Sequence, residues 1–281
     1  MAPPVPSNDD PQGRPKFSNF TLSAMLAAEV ATGVPALAML HQTHLLPSPP
    51  PHAKILDNAC GAGVVAKQLF HHLATSPRDQ NVDLNFELTC GDVDGTMERL
   101  TANLIAEEGW SEQNVSVRRI DAHSTGYPEG TFSHVLMNFG PQLMRDAKGA
   151  LKETYRVLQD GGVAGFTCWV RTGWLPGVVA VFPNFEAPGL LQTYPWKEPR
   201  SIEGILGEIG FVDVVVREHD FTTRLSEGGV DGFLELMALL MPGLLNGENM
   251  QKYERYMKAQ VEKQPVLEMS WQALIVSARK P

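Results

Sequence analysis

The chain has 281 residues, 43% hydrophobic and 20% charged, with a formal net charge of −9 at pH 7. That length suits one large α/β domain with an added lid or cap, and the acidic balance argues against a nucleic-acid surface, which needs a basic face. No apolar run approaches the roughly 18 residues of a membrane span, so neither nucleic acid nor membrane is expected as a partner.

In chain order, residues 1–16 are rich in Pro, Asp and Asn and lack the apolar core of a signal peptide, which reads as a disordered tail. Phe17–His44 predicts one or two helices with Pro35 as a kink or break. Leu46–His52 is an extended connector with four prolines. Strand Lys54–Leu56 then leads to helix Val64–Ala74, and strand Phe86–Cys90 to helix Gly95–Glu108, which stops at Gly109. Strand Val115–Ile120, an apolar strand within Thr131–Asn138 and helix Ala147–Leu158 follow. The turn signal Asp160-Gly161-Gly162 precedes a fifth strand, Val163–Trp169. This alternation implies a mostly parallel sheet covered on both faces.

Beyond Trp169 the pattern loosens. Arg171–Pro199 reads as a loop with short helical pieces, and Ser201–Ile209 as a helix with Ser201 at its N-cap. Strand Val212–Val216, an apolar helix Asp231–Leu245, an amphipathic helix Gln251–Lys263 and strand Trp271–Ala278 complete the chain. No internal repeat is visible. The three cysteines, Cys60, Cys90 and Cys168, fit neither a disulfide framework nor a metal spacing. No metal is therefore expected, and a reducing, cytoplasmic setting fits best.

The most informative segment runs from Asp57 to Ala66. A strand ends at Asp57, Gly61 and Gly63 open a turn, and helix-spaced apolar residues follow. Glycines there let backbone approach a ligand closely, and the helix start offers free N–H groups. Gly61, Gly63 and Ala66 formally satisfy the dinucleotide pattern G-x-G-x-x-G/A, a weak signal alone. Asp57 would repel a pyrophosphate but would suit the ammonium of a methionine-type ligand. The next acidic strand end, Asp92, lies 31 residues past Gly61, whereas the dinucleotide fingerprint expects about 20. A loop insertion at Ser76–Asn85 could stretch that distance.

Several stretches together resemble class I S-adenosylmethionine-dependent methyltransferases. Leu56-Asp57-Asn58-Ala59-Cys60-Gly61-Ala62-Gly63 resembles that family's first motif, Leu88 to Val93 its second and Ile120-Asp121-Ala122 its third. Leu151–Gly162 is similar to the helix and glycine turn before the fifth strand. More narrowly, Asp57–Gly61, Leu88–Asp92, Glu108-Gly109-Trp110, Thr167–Trp169 with Trp174–Pro176, and the Phe233–Leu245 helix are similar to fungal small-molecule enzymes of the gliotoxin thiomethyltransferase type. The resemblance implies a Rossmann-like, doubly wound, mostly parallel seven-stranded sheet. It also implies a single domain over 17–281, with N-terminal cap helices at 17–45 and helical cap elements at 171–200 and 227–265.

The cofactor it implies is S-adenosyl-L-methionine. Asp57 would lie near its amino-acid end, with Ala59, Gly61 and Gly63 in close backbone contact. Asp92, with Val93, would take the ribose hydroxyls, and Asp121, with Ala122, the adenine amine. Asn138 would line the cofactor or methyl-transfer channel. Met25, Trp169, Trp174, Phe233 and Met237 are candidates for an apolar substrate pocket, or alternatively for core packing. A tryptophan face there could also hold a cation. His41, His44, His123 and His219 could each serve as a base, but none is assigned.

The expected activity is methyl transfer to a thiol, hydroxyl, carboxyl or amine of a small, largely apolar metabolite. Two alternatives stand beside it: a related protein that binds the cofactor without transfer, and a nicotinamide-dependent oxidoreductase. The acceptor atom and oligomeric state stay open.

Overall fold

The computed structural model describes residues 21–73, 84–110, 114–185 and 195–281. The expected tail at 1–16 and most of the Ser76–Asn85 insertion fall outside them. Among the described residues seven strands form one sheet: β1 (Ala53–Asn58), β2 (Phe86–Asp92), β3 (Val115–Arg119), β4 (Phe132–Met137), β5 (Leu158–Arg171), β6 (Val212–Ser226) and β7 (Val266–Arg279). Their order is β3-β2-β1-β4-β5-β7-β6. Strands β3, β2, β1, β4 and β5 pair in parallel, and β7 runs antiparallel to β5. The sheet is therefore mostly parallel and Rossmann-like, as expected.

The helices are α1 (Leu22–Gln42), α2 (Val64–His71), α3 (Gly95–Glu108), α4 (Gly140–Leu143), α5 (Ala147–Val157), α6 (Leu175–Val181), α7 (Pro199–Ile209), α8 (Val230–Leu240) and α9 (Gly247–Lys263). Alternation along β1 sends successive side chains to opposite faces. Ile55 joins a core with Leu88, Leu136 and Leu40 of α1 and Leu69 of α2. Its neighbour Leu56 joins the opposite core with Val135, Leu151 of α5 and Leu206 of α7. The short apolar runs Ile55-Leu56 in β1 and Val135-Leu136-Met137 in β4 follow from this two-sided burial.

The described residues cluster into two compact units. One contains 21–28, 174–185 and 224–269, including helices α6, α8 and α9. Its interior holds the fully buried Tyr253, and Glu235 accepts hydrogen bonds from the hydroxyls of Thr21 and Ser23. The other unit carries β1 to β5, with α2, α3, α4, α5 and α7.

Several sequence expectations need correction. Of the one or two helices expected, α1 is one, with Pro35 inside it, because Ala36, Met39 and Leu40 beyond the proline are fully buried and hold its second half in place. It is also long and apolar enough, by length and composition, to cross a membrane, contrary to the expectation of no such run. Core helices of soluble proteins and signal sequences meet the same criterion.

Helix α7 starts two residues earlier than expected, with Glu198 at the N-cap position instead of Ser201. Pro199 takes the first turn, where its fixed φ suits a helix and its missing N–H costs nothing. The Asp160-Gly161-Gly162 turn lies inside β5. Between Phe132↔Leu158 and His134↔Val163, β4 advances two residues while β5 advances five. The Gly161 N–H still donates to the Lys280 carbonyl, and the Lys280 N–H to that of Gly162, so pairing with the chain end carries the strand through the bulge. Strand β6 extends ten residues past Val216. It closes one end of the strand order, where exposed Arg217, Glu218 and Asp220 need no apolar alternation.

Candidate functional site

The glycine corner forms at the carboxyl end of β1, beside the end of β2. Asp57 is fully buried, and neither carboxylate oxygen has a hydrogen-bond partner. Asn58 is equally buried, with both amide atoms unpartnered. Because neighbours in a strand point oppositely, the two open polar groups serve opposite faces of the sheet. Burial, reinforced by the charge of Asp92, pushes the Asp57 carboxyl up to about 8. A desolvated, unpaired carboxylate is costly unless a cation or a set of donors meets it.

Ala59 at φ 65° and Gly61 at φ 56° carry the chain through the left-handed region. Gly63, at φ 86°, begins α2 with no side-chain cap. The Cβ position of Gly61 has nothing within 4 Å. At Gly63 a Cβ would stand 2.9 Å from Leu104 Cδ2. Gly63→Ala should therefore cost about 1–2 kcal/mol, mostly from the left-handed backbone, since the leucine tip can shift. Urea denaturation measures this directly, and an unchanged midpoint would refute it.

Asp92 ends β2 and is nearly buried. Its Oδ2 accepts the Gly61 N–H at 2.9 Å and its Oδ1 the Asp94 N–H at 2.9 Å. Burial pushes its carboxyl above the ordinary range, while these backbone bonds pull it back. The same carboxylate thus clamps the turn and retains lone pairs for a ligand. Val93 beside it is 45% exposed, and its carbonyl is held by Arg119 Nε at 3.0 Å.

Asp121 is less free than the sequence suggested. Its Oδ1 accepts the His123 N–H and meets His123 Nδ1, both at 2.9 Å. The other ring nitrogen of His123 lies 3.0 Å from the Asp146 carbonyl. The segment is fixed again at Thr125, whose N–H and hydroxyl both donate to buried Glu153. Ala122 is buried.

Asn138 is occupied on both sides. Its Oδ1 accepts from the Thr167 hydroxyl at 2.7 Å and its Nδ2 donates to the Thr32 carbonyl at 3.2 Å. Trp169 stacks on Phe139 at 3.9 Å between ring centroids and sits 5.2 Å from Trp271. Buried Gln142 brackets the Trp169 backbone, accepting from its N–H and donating to its carbonyl. Trp174, Phe233 and Met237 belong to the other unit, where all three are buried, and Met25 is half-buried there.

No group of three or more metal-ligating side chains occurs among the described residues. All three cysteines are free and buried. A hydrogen bond with Cys90, and then burial, push the Cys60 thiol well up, and burial alone does so for Cys168. Neither supplies a thiolate nucleophile.

Residues 55–162 match the family model for a methyltransferase domain. Methyltransferase tpcH of Aspergillus fumigatus is 27% identical to this chain over 280 residues, which cover 91% of this chain and 92% of that one. The acetylaranotin bis-thiomethyltransferase of Aspergillus terreus is 29% identical over 171 residues, covering 61% and 54%. The fold is shared with phosphoethanolamine N-methyltransferase 2 of Haemonchus contortus, solved with S-adenosyl-L-methionine, at a TM-score of 0.55 and 15% identity, covering 94% of this chain and 59% of that one.

The glycine corner and its surroundings contain parts the sequence reading missed. Thr101 holds the Gly61 turn, Glu153 the Thr125 segment, and Gln142 the Trp169 backbone in β5. Thr101 carried a signal, because it falls on the buried face of α3 with Met97, Leu104 and Ile105. A hydroxyl on an apolar helical face needs a partner.

Proposed function

We propose that the chain transfers a methyl group from S-adenosyl-L-methionine to a thiol, hydroxyl, carboxyl or amine of a small, largely apolar metabolite. The observation that carries this reading is the orphaned, buried carboxylate of Asp57 beside a glycine turn whose Gly61 leaves open space. A primary ammonium would meet the unpaired charge. A nucleotide pyrophosphate would be repelled by it.

When bound, the cofactor supplies a sulfonium whose methyl group is displaced in line. The chain's own residues bind and orient. Asp57 would hold the ammonium, and Asp92 would accept the ribose hydroxyls through the lone pairs its backbone donors leave free. Ala59, Gly61, Gly63 and Val93 would give close backbone contact. Asp121 and Ala122 would take the adenine edge, with Asp121 sharing its carboxylate with His123. Asn138 would line the site through its backbone and its bond to Thr167, since its amide is already in use.

Orientation and proximity supply the rate, an effect worth up to about 7–11 kcal/mol. No side chain is assigned as a base. One relative is named for bis-thiomethyl transfer, which places thiols first among acceptors to test.

Calorimetry with S-adenosylmethionine, S-adenosylhomocysteine and NAD separates the readings. Binding of the first two and not of NAD is expected, and NAD binding alone would overturn the proposal. A methyl-transfer screen over small thiols, phenols, carboxylic acids and amines follows. Bound cofactor with no product from any class would instead favour a protein that binds the cofactor without transferring its methyl group.

A further inference from the structure

We infer that Thr101 is a positioning residue that sets the glycine turn for the cofactor before any ligand arrives. The inference rests on the reading of that turn as the cofactor site. Thr101 lies on α3, outside the turn, and is fully buried. Its hydroxyl donates to the Gly61 carbonyl at 2.8 Å, not to a carbonyl of its own helix, where threonines in helices often bond.

The Gly61 N–H is held at the same time by Asp92 Oδ2 at 2.9 Å. The peptide groups on either side of Gly61 are therefore fixed from β2 and from α3. Thr101 also backs Gly63, where a Cβ would lie 3.3 Å from both Thr101 Cγ2 and Oγ1. The side of Gly61 where a Cβ would project stays open, with nothing within 4 Å. A glycine turn left unrestrained samples many backbone states, and ordering it on binding would subtract from affinity.

Thr101→Val keeps the shape and removes the donor. Calorimetry with S-adenosylhomocysteine should show about tenfold weaker binding, the scale of one hydrogen bond. Thr101→Ser, which restores the hydroxyl, should recover to within about twofold of the wild type. Ile105→Val removes a methylene from the same buried face without touching the turn, and should leave the affinity unchanged. In ligand-free protein, amide exchange at Gly61 and Gly63 should speed up in Thr101→Val and not in Ile105→Val.

Wild-type protein that binds no S-adenosylhomocysteine would refute the functional reading. Wild-type binding with equal affinity in Thr101→Val, or with the same loss in Thr101→Ser, would refute the role of Thr101 alone. Unchanged exchange at Gly61 and Gly63 would refute the preorganised turn whatever the ligand.

Discussion

Asp57→Asn is expected to weaken S-adenosylhomocysteine binding about 10–100-fold while removing a pH dependence from the ligand-free protein's stability. The first effect is the loss of a charge-assisted contact, on the order of 1.5–3 kcal/mol. The second follows from burial. In the folded protein the Asp57 carboxyl titrates at about 8, against an ordinary value of 3.8. Between those values the native state keeps a proton that the unfolded chain gives up. Stability from this group is full below about pH 4 and is lost as pH rises toward 8. Asparagine has a similar shape and no charge, so the variant should lose that slope and gain stability over the wild type at pH 9.

A cationic ligand reverses the preference. It favours the ionised carboxyl, so binding should release a proton at pH 7 and tighten as pH approaches 8. Thermal melts at pH 5, 7 and 9, and calorimetry in two buffers of different ionisation enthalpy, measure both consequences. Equal affinity in the variant would remove Asp57 from the site.

Asp92→Ala should act on both fold and ligand. It strips an acceptor from the Gly61 and Asp94 N–H groups, costing on the order of 1–3 kcal/mol where those groups stay unsatisfied. Binding of S-adenosylhomocysteine should fall about 100-fold if Asp92 holds the ribose as proposed, because the two ribose contacts and the clamped turn would then go together. The charge of Asp92 also helps raise the Asp57 carboxyl. The variant should therefore move the Asp57-linked pH slope to lower pH, an effect that a purely structural role for Asp92 shares only if the two carboxyls are near neighbours. Unchanged affinity would cancel the ribose assignment.

The parallel part of the sheet was legible because burial on both faces writes apolar runs into β1 and β4, and because Gly61, Gly63 and Gly109 mark turns and helix ends. Helix α3 was read to the residue, since Asp94 caps it by accepting the Thr96 N–H and Gly109 closes it in the left-handed region. Where solvent covers a face, the pattern fades. Strand β6 continues through charged residues, and the bulge of β5 is held by pairing with Lys280, more than 100 positions away in sequence.

By itself the sequence determined the parallel sheet and the presence of an acidic glycine corner, because local periodicity, turn chemistry and strand-end carboxylates are properties of neighbouring residues. Tertiary structure decided how those carboxylates are used. Asp57 is left bare by complete burial, Asp92 is half committed to the Gly61 turn, and Asp121 is drawn to His123. Asn138 is tied up by Thr167 and Thr32. Such assignments depend on partners brought together across the chain, on the dielectric around them and on which lone pairs remain, and none of these is written in any one stretch of residues.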